Sequence, residues 1–375
     1  MPIVAVTGPR QSGKTTLCRQ VFGDRPYVSL EPLDRREYAI RDPRGFLREI
    51  EEGAVIDEAQ RAPGLMSYLQ EEVDERPRPG RFVLTGSQHF GLSEAITQSL
   101  AGRIALLHLL PPSFDELQRF GDRGRDLWRV VWAGAFPRIH HRGLAPPAWL
   151  ADYVATYVQR DVRQVLNVTD LDSFSAYLSL LAGRTACELN LSRLGSDVGA
   201  SHHTIRAWTS VLKTSFVCFT VPAWHRNLRK QAIKAAKVHL VDTGLACHLL
   251  GITSPDQLRN HPLRGALFET WVASEVFKSR AHRGLAPRLF HFRDAKGLEV
   301  DLVLDDGGRI VLCESKSGAT VVSDFFSGLC RLREILAGTD PHLQVETRVV
   351  YGGDTSQRRT AADVVAWATV QEQCW

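Results

Sequence analysis

Paired cysteines are missing. The seven cysteines, Cys18, Cys187, Cys218, Cys247, Cys313, Cys330 and Cys374, are scattered over 375 residues and form no CxxC. This excludes a dense disulfide framework and the paired spacing of a thiolate zinc site. Buried thiols in a reducing compartment are the expectation. Long hydrophobic runs are also missing. No stretch approaches the roughly 20 apolar residues of a membrane helix. The opening MPIVAVTGPR has no charged segment, apolar run and cleavage site in succession. A soluble, cytoplasmic chain with no membrane partner is expected. Charge of one sign is scarce, with a formal net charge of only +4. Any nucleic-acid contact must therefore rest on local basic surface. Internal repeats and low-complexity tracts are absent. What remains is 44% hydrophobic and 23% charged, a composition that packs a core. The length implies two or three domains.

Over residues 1–112, short apolar runs alternate with longer amphipathic stretches, the α/β pattern. Strands are expected at Ile3–Val6, Tyr27–Leu30, Ala54–Ile56, Phe82–Leu84 and Ile104–Leu107. Between the first strand and a helical pattern stands Gly8-Pro9-Arg10-Gln11-Ser12-Gly13-Lys14-Thr15, followed by Thr16. This is GxxxxGK[ST]: backbone N–H groups and a helix N-terminus cradle phosphates. Lys14 is expected on the β- and γ-phosphates of ATP and Thr15 on Mg²⁺. The strand Ala54-Val55-Ile56 ends in Asp57-Glu58. Asp57 is the second magnesium-binding candidate and Glu58 the base for the attacking water. Phe82-Val83-Leu84-Thr85-Gly86-Ser87-Gln88 is a further strand with a polar end. Ser87 is the candidate γ-phosphate sensor, with Thr85 the alternative. Arg103, just before the last of these strands, is the candidate charge-neutralising arginine.

Pro111-Pro112 punctuates the chain. Residues 113–169 read as mainly helical, opening on a Ser113/Glu116 capping box. In 170–255, Ser192–Val198, a turn at Gly199 and Ser201–Leu212 read as helix, turn, helix, with the β-rich Phe216–Val221 behind them. His202, His203, Arg206 and Lys213, with the basic run His225–Lys237, are candidates for DNA contact. Residues 256–375 open with a helix, Gly265–Lys278. Strands follow at Leu289–Phe292, Val300–Leu304, Ile310–Glu314 and Thr347–Tyr351. Asp305-Asp306-Gly307-Gly308 turns one strand into the next. Period-2 alternation then brings Asp301, Glu314 and Lys316 to one end of a sheet. Two carboxylates and a lysine so arranged point to a metal-dependent nuclease site. Asp301 and Glu314 are the metal ligands, Glu269 a further acid and Glu299 a neighbour. A simple hairpin with a Glu314–Lys316 ion pair is the alternative.

The ordered set GPRQSGKTT, VIDEAQ, FVLTGSQ, SLAGR, AGAFPR, YVQRDV, TIRAWTSVLKTSFV, VDTGLACHLLG, GALFETWVASEV and EVDLV…CESKSG resembles a widespread prokaryotic family. Its members are AAA-type ATPases with a C-terminal domain of unknown function. The resemblance covers essentially the whole chain. It implies a multidomain α/β protein: a P-loop ATPase core (1–112), a helical lid (113–169), a winged helix (170–255) and a restriction-endonuclease-like domain (256–375). It also implies a homo-oligomer with shared nucleotide sites, Arg103 acting in trans, and Gly134-Ala135-Phe136-Pro137 as a lid turn approaching the base. Members usually carry a lead-in before the first strand. This chain opens almost directly on that strand, at Pro2, so the expectation is either a late start or missing adenine-contacting residues with weakened nucleotide affinity.

Overall fold

The apolar runs of the first 112 residues become parallel strands, and the three central ones have both faces covered. In this computed structural model they are β1 (Ile3–Gly8), β2 (Tyr27–Ser29), β3 (Ala54–Asp57), β4 (Phe82–Ser87) and β5 (Ile104–His108). All pair in parallel, in the order β2-β3-β4-β1-β5. Alternation decides the faces. Ile3, Ala5, Ala54, Ile56, Phe82 and Leu84 join one core. Val6, Val55 and Val83 join the other with Cys18. Helix α1 (Lys14–Val21) covers the second face. Helices α2 (Leu33–Arg41), α3 (Pro43–Glu49) and α4 (Leu65–Glu75) bury Ala39, Phe46, Leu47, Leu65, Met66, Leu69 and Val73 against the first.

The structure describes residues 1–87, 99–121, 126–158, 170–225, 235–340 and 342–375, with Ser87, Tyr157 and Val158 given by backbone alone. Gln88, most of YVQRDV and most of the basic run His225–Lys237 lie outside the described residues. The chain divides into two compact units. One comprises Met1–Pro111 and Thr214–Phe216, the other Pro112–Lys213 and Val217–Trp375.

The second unit opens with the expected capping box at Ser113 and Glu116. Its helices include α5 (Leu127–Ala133), α6 (Pro137–Arg142) and α7 (Leu171–Gly183). Helices α8 (Leu191–Val198) and α9 (His202–Thr214) flank a left-handed turn at Gly199. The Ser201 hydroxyl accepts from Thr204 N–H at 3.1 Å. Trp208 is core, packed on Phe174 and Tyr177 at ring distances of 5.3 and 5.4 Å. A small antiparallel sheet follows, β6 (Cys187–Glu188), β7 (Cys218–Val221) and β8 (Lys237–Leu240), in the order β6-β8-β7. Helix α10 (Thr243–Leu249) comes next, then the long α11 (Arg264–His282).

Six strands end the chain: β9 (Leu289–Arg293), β10 (Glu299–Asp305), β11 (Arg309–Lys316), β12 (Gln344–Tyr351), β13 (Gln357–Arg358) and β14 (Asp363–Ala366). Their order is β13-β14-β12-β11-β10-β9. The β10–β11 pair is the expected antiparallel hairpin. Helix α12 (Ser327–Thr339) crosses over so that β12 runs parallel to β11. The small and large sheets of this unit are stitched by backbone. Ala223 bridges His291, Trp224 N–H donates to His291 C=O at 2.6 Å, and His291 N–H donates to Pro222 C=O at 2.9 Å.

Candidate functional site

The phosphate-binding loop leaves β1 at Gly8, whose φ is +153°. A Cβ there would lie 2.1 Å from the Leu109 carbonyl oxygen, so only glycine lets the chain turn this close to its neighbour. Gln11 and Gly13 are left-handed as well, at φ 63° and 98°. Alternation of this kind turns successive N–H groups into one concavity. Lys14 is buried at the start of α1. Its ammonium donates to the carbonyls of Gly8 at 3.0 Å and Pro9 at 2.7 Å. Burial pulls its pKa down to about 8, with Arg10 adding to the fall and Glu58 and Asp57 opposing it. Among the described residues, Ser12 Oγ is buried with no hydrogen-bond partner.

Asp57 ends β3 and is 7% exposed. Its carboxylate accepts from Thr15 Oγ1 at 3.3–3.4 Å, and also from the Thr85 and Tyr27 hydroxyls. Sheet order explains the meeting, because β4, which carries Thr85, lies between β1 and β3, while Tyr27 opens β2 on the other side of β3. Arg19 lies over the Tyr27 ring at 4.1 Å. Burial and the hydrogen bond to Asp57 push the Tyr27 phenol up to about 12, so it stays a donor. Glu58 sits in left-handed backbone at φ 57°, and Gln60 Nε2 donates to its carboxylate. Thr15 and Asp57 place hard oxygens side by side, and Ser12 offers an unsatisfied hydroxyl. This donor set fits Mg²⁺ bound with a phosphate. Ser87 stands opposite Gly8 in the strand register, and its side chain is outside the described residues. Arg103 forms a two-pronged pair with Asp74, Nε–Oδ1 2.6 Å and Nη2–Oδ2 2.8 Å, within its own chain.

The second unit gathers the acids of the hairpin. Asp301 N–H lies 3.4 Å from Glu314 Oε2, and Ser315 N–H donates to Asp301 Oδ2 at 2.8 Å. Lys316 pairs with Glu314 at 2.7 Å. Glu269, from α11, does not complete a set of metal ligands. The ammonium of Lys237 lies between it and the hairpin, 2.9 Å from Glu269, 2.9 Å from Glu299 and 3.7 Å from Asp301. Among the described residues no group of three or more His, Cys, Asp and Glu is placed to hold a metal. In this arrangement the Lys237 ammonium faces Glu269, Glu299 and Asp301, and Lys316 pairs with Glu314. Burial and the charge of Asp301 push the carboxyls of Glu269 and Glu314 upward. Gly134 and Ala135 have a structural partner. Ala135 N–H donates to buried Asp242 Oδ2 at 2.6 Å, and Asp242 Oδ1 caps α10 at Leu245 N–H, 2.8 Å away.

Residues 1–118 match the family model described as AAA domain. Residues 124–256 match a domain of unknown function, DUF8612, and 264–370 another, DUF4143. The uncharacterized proteins Rv2008c of Mycobacterium tuberculosis and Mb2031c of Mycobacterium bovis are each 30% identical to this chain over 334 residues. The match covers 85% of this chain and 71% of each relative. The chain belongs to the family of these mycobacterial proteins. Its N-terminal unit is an AAA-type P-loop ATPase domain, a nucleotide-binding fold. A RuvB variant of Thermotoga maritima also aligns, at 19% identity and TM-score 0.31, over 59% of this chain and 83% of that one. So low an overlap carries no weight here. Among the described residues no helix is long and apolar enough to cross a membrane.

In this family member, motif spacing alone pointed to Lys14, Thr15, Asp57 and Glu58. It did not point to Tyr27, Gln60 or Lys237. Tyr27 opens a three-residue strand with no motif of its own. Lys237 reads as the end of a basic run, and only its burial, with a side chain 4% exposed, sets it apart.

Proposed function

We propose that this chain is a Mg-ATP-hydrolysing AAA-type ATPase that acts on DNA. The observation that carries the ATPase reading is the convergence of Lys14, Thr15 and Asp57 at the carboxyl ends of β1 and β3, the two strands that flank β4. Thr15 and Asp57 would hold Mg²⁺, which when bound offsets charge on the phosphates. Lys14 would leave the Gly8 and Pro9 carbonyls for the β- and γ-phosphates. Thr85 and Tyr27 fix the Asp57 carboxylate. Glu58, steadied by Gln60, takes the proton of the attacking water. The water oxygen bonds to the γ-phosphorus, and the bond to the bridging oxygen of ADP breaks. Ser87 is proposed to sense the γ-phosphate. Arg103 is proposed to exchange Asp74 for a neighbouring copy's nucleotide in an oligomer. The test is release of phosphate by the purified chain. We expect Mg²⁺-dependent turnover that falls at least about 100-fold in Glu58→Gln and Lys14→Ala. Unchanged turnover in Glu58→Gln would remove the base assigned here.

DNA contact is proposed through a winged helix built on α8, α9 and β7–β8. His203, Arg206 and Lys213 are exposed on α9. A cleft of about 480 Å³ beside it is lined by Arg184, Asn190, Arg193 and His202, donors suited to phosphate, together with the acidic Glu188. The hairpin pattern alone supports metal-dependent DNA cleavage by Asp301, Glu314 and Lys316. One observation favours a second reading, an ATP-driven switch whose nuclease-like module is silent. That observation is the seat of Lys237 among the acids. Cleavage of linear, single-stranded and branched DNA, compared between the native chain and Asp301→Ala, separates the two.

A further inference from the structure

We propose that Lys237 is a tethered cation that keeps the acidic pocket of the second unit free of divalent metal. The inference rests on the silent reading of that module and names the residue that makes it silent. Lys237 is the first residue of β8, in the small sheet. Its side chain crosses to the large sheet, where α11 supplies Glu269 and β10 supplies Glu299 and Asp301. Two carboxylate oxygens lie at 2.9 Å and a third at 3.7 Å. An ammonium has three donors and no acceptor, so acidic oxygens are what it requires. Mg²⁺ would need such oxygens at about 2.0–2.1 Å around its own centre. It cannot have them while the ammonium lies among them, because two cations sharing one buried cage repel strongly.

The acid of β11 is engaged in the same way. Glu314 is paired with Lys316 at 2.7 Å. Both cations are attached to the chain, so neither is lost by dilution. A free metal competes with a partner of high effective concentration. The ion pairs are also not surface decoration. Side-chain exposure is 4% for Lys237, 15% for Glu269 and 11% for Asp301, while Glu299 at the rim is 37% exposed. Removing the ammonium would strand buried carboxylates, which then need another cation or protons.

The experiment titrates Mn²⁺ into the full nucleotide-free chain and reads bound metal by electron paramagnetic resonance. Native protein, Lys237→Met, Lys237→Arg and Lys237→Met/Asp301→Asn are compared. Mn²⁺ at Thr15 and Asp57 is common to all and cancels. We expect Lys237→Met to bind one more Mn²⁺ than the native chain. The Asp301→Asn double variant should lose it, and Lys237→Arg should match the native chain. Lys237→Met/Glu269→Gln removes one charge of each sign and guards against misfolding. It should also gain the site, with a melting temperature raised by Mn²⁺. If neither Met variant gains a site and the native chain does not cut DNA, the tether falls and the silent module stands. If the native chain already holds an Asp301-dependent Mn²⁺, the tether is refuted, and DNA cleavage by that protein would refute the silent module as well.

Discussion

Lys14 carries its charge against a cost of burial, which makes nucleotide binding sensitive to pH. Its pKa in the folded chain is lowered to about 8 from 10.5. An anionic ligand prefers the protonated ammonium, so affinity for Mg-ATP should fall as pH rises above about 8, approaching tenfold per unit. Fluorescent-nucleotide titrations between pH 7 and pH 9 would show this, and a flat profile would contradict it. For stability of the free chain the sign is opposite. The folded state disfavours the proton, so the penalty is present below about 8 and is relieved as pH rises toward 10.5. Tyr27 offers a gentler test. Tyr27→Phe removes one of three hydroxyl donors to Asp57. It should slow ATP turnover several-fold and lower stability by about 1 kcal/mol. Steady-state kinetics beside urea unfolding would measure both. The residues that touch phosphate in motifs of fixed spacing were legible in the sequence. Those that steady them were not, because strand order, not chain distance, brings Tyr27 and Thr85 to Asp57.

Among elements, most strands with an apolar run were legible, but the four-residue β8, hidden at the end of a basic run, and β14 were not read. The runs from Ile3 and Phe82 were recognisable because both faces are buried. They proved longer than expected, since pairing continues into the polar ends Thr7-Gly8 and Thr85-Gly86-Ser87. The short β6 and β13 have no run to read. β7 begins at Cys218, later than the β-rich Phe216. The AGAFPR segment shows how a motif can be structural. Gly134, at φ +69°, ends α5, and a Cβ there would lie 2.3 Å from Asp242 Oδ1. Asp242 is fully buried, and burial pushes its carboxyl upward while two backbone N–H groups hold it down. Asp242→Ala should therefore lose both the α10 cap and the Ala135 bond, costing about 2–4 kcal/mol. Gly134→Ala should cost about 1–3 kcal/mol through the same contact and a strained φ. Urea midpoints of the two variants would check this. A midpoint unchanged in Asp242→Ala would contradict the account.

At the scale of the molecule, ATP turnover and assembly are the quantities to link. Arg103 already has a partner in Asp74, so a role in trans requires exchange of one carboxylate for a phosphate. Arg103→Ala should then reduce turnover only at concentrations where copies associate. Specific activity of both proteins, measured across a dilution series, would reveal this. Parallel loss at every dilution would assign Arg103 to its own subunit. The DNA reading has its own measure. Lys14→Ala should change DNA retention in the presence of ATP, and Arg206→Ala should weaken it with a smaller salt slope.

The seam between Pro222–Trp224 and His291 has a consequence for inheritance. The two uncharacterized modules meet between residues 256 and 264. Yet backbone bonds run across that boundary. Lys237 belongs to one module and its three acids to the other. A gene that kept either half alone would leave strand edges open and charges stranded in the interior. The halves should therefore travel through evolution as a single exchangeable piece, and chimaeras joined at that boundary should fail unless both sides come from the same parent.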